Sequence, residues 1–269
     1  MYMPKILKNE MKKDSMEFFI YSIIFITGTF LGSFCTLAIY RIPLKQNITY
    51  ERSYCPNCKH KLGFLDLFPV FSYIFLRGEC RYCHQKIRPR YFIIEIFSGI
   101  ALVLFAISMR INFTTIELDK IMYFIFSMLY FVTLVLIAGI DREYISIQKS
   151  VVAWGIIFCT MYMLYLYILE KANLYKYGIC LFLIMILTAI NIFQLKKRKK
   201  TNYTIDILIL YVYMTLFCNM ECMVYTTIIA LLAIGINFMR KEKKRTLPIG
   251  FYLCISNLCI IILQNFLVH

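Results

Sequence analysis

Eight times along this chain a run of about twenty residues passes with one charged side chain or none, and that recurrence leaves little freedom in what it can fold into. The runs are 18–40, 91–109, 121–140, 150–169, 177–195, 201–220, 222–239 and 246–268. At 1.5 Å per residue each is about long enough to span a bilayer core roughly 30 Å thick. Within that core the backbone has no water to bond to and must satisfy itself as a helix. A composition of 61% hydrophobic and 17% charged residues, with a mean hydropathy of +0.69, is too apolar for a soluble globule. The expectation is therefore an all-α polytopic membrane protein of about eight transmembrane helices.

The order of organisation follows. Residues 1–17 form a polar, Lys-containing N-terminal tail with no small-residue cleavage site after its apolar region, so it does not read as a removable signal peptide. Residues 18–40 are transmembrane helix 1, residues 41–90 a small polar lobe, and residues 91–269 a seven-helix membrane domain. The boundary between the runs 201–220 and 222–239 is the least marked, since only Glu221 separates them.

The net charge of +15 is a topology signal. A nucleic-acid binder would display its Lys and Arg on a folded polar domain, whereas here they sit in clusters between apolar runs, so no nucleic-acid partner is expected. The lobe 41–90 holds ten Lys or Arg against Glu51, Asp66 and Glu79, and further clusters fall at 196–200 and 240–245. The alternate connections are nearly free of positive charge. By the positive-inside rule the rich connections, lobe included, face the cytoplasm, although Lys5, Lys8, Lys12 and Lys13 favour the opposite sense.

Of the eleven cysteines, seven lie in or beside apolar runs as small hydrophobes. The other four are patterned: Cys55-x-x-Cys58 is answered by Cys80-x-x-Cys83. Two such turns set side by side form a closed four-thiolate shell, which suits structural Zn2+ and leaves no open position for chemistry. A reducing compartment favours metal over disulfides. His60 and His84 then read as solvated loop residues.

The chemistry has to lie with the acids. The five Asp are at 14, 66, 119, 141 and 206. Asp206 sits inside an apolar run, where a carboxylate costs about 3 kcal/mol on insertion scales, and Asp141 ends run 121–140 at the same inner depth. Two carboxylates close together in a poorly solvated place share a proton, so that one can activate water while the other protonates a leaving amine. Blander readings stand beside this one: Asp141 as an interfacial charge next to Arg142, Asp206 as a partner of Lys199 or Lys200, and Glu95 as an ion pair with Arg88 or Arg90.

The amino-terminal motifs are dense. Gly32-Ser33-Phe34, Tyr40-Arg41-Ile42-Pro43, Cys55-Pro56-Asn57-Cys58, Asp66-Leu67-Phe68-Pro69-Val70-Phe71-Ser72-Tyr73, Arg77-Gly78-Glu79-Cys80-Arg81-Tyr82-Cys83 and Arg88-Pro89-Arg90-Tyr91 before Glu95 follow in order. Together they resemble the amino-terminal domain of the prepilin peptidases of type IV pilus, type II secretion and DNA-uptake systems. Further on the likeness rests on Asp141, Asp206 and Leu247-Pro248-Ile249-Gly250-Phe251.

The resemblance implies a bacterial inner-membrane aspartyl endopeptidase that removes the basic leader from prepilins or pseudopilins at the cytoplasmic face, with Asp141 and Asp206 as its catalytic pair. Some members of that family also methylate the new amino terminus, which adds S-adenosylmethionine as a cofactor candidate; no Gly-rich loop for it stands out. The sequence departs from the family pattern where Tyr203-Thr204-Ile205 precede Asp206 in place of Gly-x-Gly, where Gln148 follows Ile147 in place of Pro, and at Thr36 in place of Asn. These departures make a catalytically impaired relative, acting as a non-enzymatic assembly protein, the second reading. A proton-coupled transporter is the third, and it lacks paired broken helices. Neither the pilin served nor the oligomeric state is indicated.

Overall fold

The computed structural model describes residues 5–50, 52–110, 117–169, 174–198, 202–240 and 247–268. Nine α-helices account for most of these residues: α1 (Lys5–Arg41), α2 (Phe71–Phe75), α3 (Arg90–Ser108), α4 (Leu118–Tyr144), α5 (Lys149–Ile168), α6 (Leu174–Arg198), α7 (Tyr203–Phe217), α8 (Met220–Arg240) and α9 (Ile249–Val268). Among the described residues there is no strand, only two isolated antiparallel bridges in the cysteine lobe. The polar start is helical from Lys5 and continuous with the first apolar run. Among the described residues seven helices are long and apolar enough to cross a membrane, and the protein is a multi-pass membrane protein.

The run 201–220 does not form a full-length span. Its helix α7 has 15 residues, about 22 Å at 1.5 Å per residue. Asn202 caps its start by accepting from the Thr204 amide at 3.2 Å. At its other end the chain turns extended at Cys218, whose carbonyl accepts from Lys176 Nζ at 2.6 Å. The short helix is surrounded by protein, packing on α5, α6, α8 and α9. Its length therefore need not match the lipid. The charged residues 199–200 and 241–245, used above for topology, lie outside the described residues, as do the side chains of Lys197, Arg198 and Arg240.

The chain divides into two compact units. The first comprises residues 1–38 and 47–121. Here α1 and α3 meet through small residues: a Cβ at Gly28 would lie 2.7 Å from Gly99 Cα, and one at Gly32 would lie 2.8 Å from Glu95 Cα. Gly28-x-x-x-Gly32 is the small-residue spacing that lets membrane helices approach at backbone distance.

The second unit comprises residues 39–46 and 122–268. Its interior is built from α4, α7, α8 and α9 around buried polar side chains that satisfy one another. Tyr130 donates to Asn257 Oδ1 at 2.8 Å, Asn257 Nδ2 donates to Thr226 at 3.2 Å, and the hydroxyls of Thr133 and Tyr213 lie 2.6 Å apart. In a bundle where lipid supplies no hydrophobic drive, such bonds fix which helix faces meet.

Candidate active site and metal centre

The cysteine lobe is two copies of one turn, 25 residues apart in the sequence. In the first, the Cys55 amide donates to the His60 carbonyl, the Lys59 amide to the Cys55 carbonyl, and the Leu62 amide to the Ser53 carbonyl. In the second, Cys80 and Gln85, His84 and Cys80, and Ile87 and Gly78 repeat those three bonds. Lys59 and His84, at equivalent places, both take the left-handed backbone with φ of 58° and 56°. The repeat is visible in the sequence as Cys-x-x-Cys-x-x-Lys once the two segments are aligned, a signal the spacing argument alone did not use.

The turns bring Cys55, Cys58, Cys80 and Cys83 together, with all four Sγ atoms within 4.8 Å of one another and Cys55 and Cys83 at 3.8 Å. Around a tetrahedral ion with bonds of about 2.3 Å the sulfurs would stand about 3.8 Å apart. The four-cysteine cluster can hold a metal ion. The Gln85 amide and the Asn57 side chain push the Cys83 thiol down to about 6, toward the thiolate a metal requires.

Asp66 braces this lobe. It accepts from Arg81 Nε at 2.7 Å, the Gly63 amide at 3.1 Å and the Tyr82 hydroxyl at 3.3 Å. Burial alone would raise its pKa, but the Gly63 amide and the Arg81 guanidinium outweigh burial and hold it below the usual carboxylate value. His60 is exposed as expected, yet its ring lies 3.6 Å from that of Tyr82, centroid to centroid. Glu95 is not the interfacial ion pair its neighbours suggested. Its carboxylate turns to the lobe and accepts from the Val70 amide at 2.8 Å and from Ser33. Val70 takes φ 64°, a conformation unfavourable for a β-branched residue, which that bond helps hold.

In the second unit Asp141 is fully buried, with 0% of its surface exposed. The neighbour Arg142 is exposed instead and lies over the Phe251 ring at 5.0 Å. The carboxyl group of Asp141 faces the start of α9, accepting from the Phe251 amide at 3.0 Å and from the Gly250 amide. A helix N-terminus is a natural seat for an anion, because its first amides lack partners and its dipole is positive there. Gly250 makes the approach possible, since a Cβ there would lie 3.0 Å from Asp141 Oδ2. The remaining donor is the Tyr203 hydroxyl, 2.8 and 2.9 Å from the two carboxyl oxygens, which itself accepts from the Ile249 amide at 3.0 Å.

Asp206, one turn beyond Tyr203 on α7, is also buried. It accepts from Asn191 Nδ2 of α6 at 2.5 Å and feels the charge of Lys149 at the start of α5. The alternative partners Lys199 and Lys200 lie outside the described residues. No hydrogen bond joins the two carboxyl groups among the described residues; each is held by its own donor. Asn191, Tyr203 and the α9 amides were not singled out as donors in the sequence. Two signals were present: Tyr203 is the bulky residue standing where a motif glycine is usual, and the α9 amides lie in the stretch Leu247-Pro248-Ile249-Gly250-Phe251.

Fold and site thus define a helical multi-pass membrane protein with a four-thiolate lobe beside its first span and two buried aspartates in its later helices. Residues 26–109 match the Bacterial Peptidase A24 N-terminal domain. Over 87 residues the chain is 41% identical to a prepilin leader peptidase/N-methyltransferase of Vibrio cholerae serotype O1, covering 29% of this chain and 34% of that protein. It is 38% identical to one of Myxococcus xanthus, covering 34% and 27%, and 35% identical to one of Klebsiella pneumoniae, covering 31% and 39%. The likeness to prepilin leader peptidases thus covers part of the chain. The matched stretch is about a third of the length of those relatives. No solved structure matches.

Proposed function

We propose that the protein is a membrane-embedded aspartyl endopeptidase that removes the basic leader peptide from prepilins or pseudopilins, with Asp141 and Asp206 as its catalytic groups and residues 91–269 as its catalytic domain. One observation carries the reading. Tyr203 touches Asp141 of α4 through its hydroxyl and precedes Asp206 by one helical turn, so both acids stand near the first turn of α7. In the reaction one carboxylate takes a proton from water while the other gives one to the leaving amine, and the pair returns to its starting protonation after each cut. The four cysteines hold Zn2+, which when bound supplies structural cross-linking of the two turns and no open coordination position. Methylation of the new amino terminus with S-adenosylmethionine extends this proposal without assigned residues. In orientation, lobe and active site face the cytoplasm of a bacterial inner membrane; a single cysteine placed at Lys59 in a cysteine-poor background should resist impermeant reagents in intact cells.

The test is co-expression with a prepilin from the same genome, read as leader removal. A second reading is favoured by the same tyrosine: with both Asp141 oxygens engaged and the motif glycines replaced, the chain is an impaired relative that assists assembly. Leader removal by wild type supports the first reading. Its absence, with cleavage gained in the double variant Tyr203→Gly, Ile205→Gly, supports the second.

A further inference from the structure

The lobe between α1 and α3 has an unusual face. In the twelve residues from Phe64 to Phe75, Phe64, Leu65 and Phe75 are 77, 70 and 80% exposed, and Phe71 and Ile74 are at least half exposed. Large apolar side chains gathered on one exposed face mark a contact surface. The rest of the lobe exposes Lys59, Lys61, Arg77, Arg81, Lys86 and Arg88.

The depth of this segment says what the contact is. Phe68 packs edge-on against Phe30 of α1, with ring centroids 5.4 Å apart, and the Val70 amide bonds to Glu95 of α3. Glu95 lies about 8 Å along α3 from Arg90 at 1.5 Å per residue. Phe68 and Phe71 also line an apolar groove of about 400 Å3 with Phe18 and Phe25 of α1 and Val103 of α3. Val103 lies about 20 Å from Arg90 on the same count. The segment therefore descends beside two helices that are themselves apolar enough to cross a membrane.

Irregular backbone is tolerated at such depth only where its polar groups are satisfied by protein. Seven amides of the segment meet that condition. The amides of Asp66, Leu67, Phe71, Ser72, Ile74 and Leu76 bond to carbonyls within the segment or at Gly63, and Val70, the residue at the reversal, bonds to Glu95.

We propose that residues 64–76 are a re-entrant corner of the membrane region, whose exposed apolar face takes the acyl chains of the lipid leaflet on the lobe's side. The flanking Lys and Arg then stand at headgroup level, where anionic lipid attracts them. Asp66, gripped by Arg81 and Tyr82, links the corner to the metal-binding turns, so the lobe is seated by the bilayer as well as by α1 and α3.

The test uses full-length protein carrying Trp154→Phe, which removes the only tryptophan. Phe75→Trp, Phe64→Trp and, on the second cysteine turn, Gln85→Trp are introduced one at a time. Each is reconstituted into phosphatidylcholine and phosphatidylglycerol vesicles with and without acyl-chain-brominated phosphatidylcholine. Expected is quenching severalfold stronger for Phe75→Trp and Phe64→Trp than for Gln85→Trp, with blue-shifted emission. Equal quenching at all three positions overturns the proposal. So does blue-shifted emission without bromine quenching, which would show a second copy or another protein covering the face. Two reporters keep the result decisive if one variant fails to fold. The outcome does not depend on peptidase activity.

Discussion

The Tyr203 hydroxyl stands 2.8 and 2.9 Å from the two carboxyl oxygens of Asp141 and 3.0 Å from the Ile249 amide, joining α7, α4 and the start of α9 at one oxygen atom. Tyr203→Phe keeps the ring and deletes that junction, leaving a buried carboxyl short of a donor and an amide without its acceptor. Losses of this kind cost about 1.5–3 kcal/mol when a charged partner is involved. Thermal unfolding of the variant in detergent should begin several degrees below wild type. An unchanged midpoint would mean the hydroxyl contributes nothing to holding α9.

Asp141 and Asp206 should act as one unit. Asn keeps the size of each side chain and removes its base, so leader cleavage should fall by orders of magnitude in Asp141→Asn and in Asp206→Asn while protein level holds. The double variant should cut no more slowly than either single one. Normal cleavage by Asp206→Asn would remove that residue from the site.

Metal and lobe should be lost together. Cys80→Ser, or a chelator applied to wild type, should lower the bound zinc and expose residues 47–90 to proteolysis, because a structural zinc site contributes on the order of 10 kcal/mol to folding a small domain. Metal analysis finding no zinc in a lobe that still resists protease would show that the four thiols fold without it.

Asp66 gives the lobe an acid-sensitive support. Its folded pKa is lowered, so its contribution is present above the ordinary carboxyl range near about 4 and is lost as pH falls through the folded value. Asp66→Asn should therefore be less protease-resistant than wild type at neutral pH. The two should converge on acidification below that range. Comparing them at each pH separates this effect from proton competition for the thiols, which both proteins share. A constant difference across the range would show that Asp66 titrates without consequence for the lobe.

Much of this molecule was legible in one dimension. The apolar runs became helices because a long uncharged stretch in lipid has no other way to satisfy its backbone. The four cysteines came together because each pair lies on a turn its own backbone bonds close, so only one long-range step was needed. Asp206 stood out by the cost of an acid inside an apolar run, and Asp141 by its place at the end of one. In contrast, the sequence alone placed Glu95 with nearby arginines and made the run 201–220 a full span. Each of those outcomes depended on a partner distant in the chain. Glu95 meets an amide 25 residues earlier, and α7 can be short because four helices cover it. The site divides the same way: the sequence named Asp141 and Asp206, while their donors, Tyr203, Asn191 and the amides that open α9, were chosen by packing, since hydrogen bonds of a few ångströms carry no periodic trace along the chain.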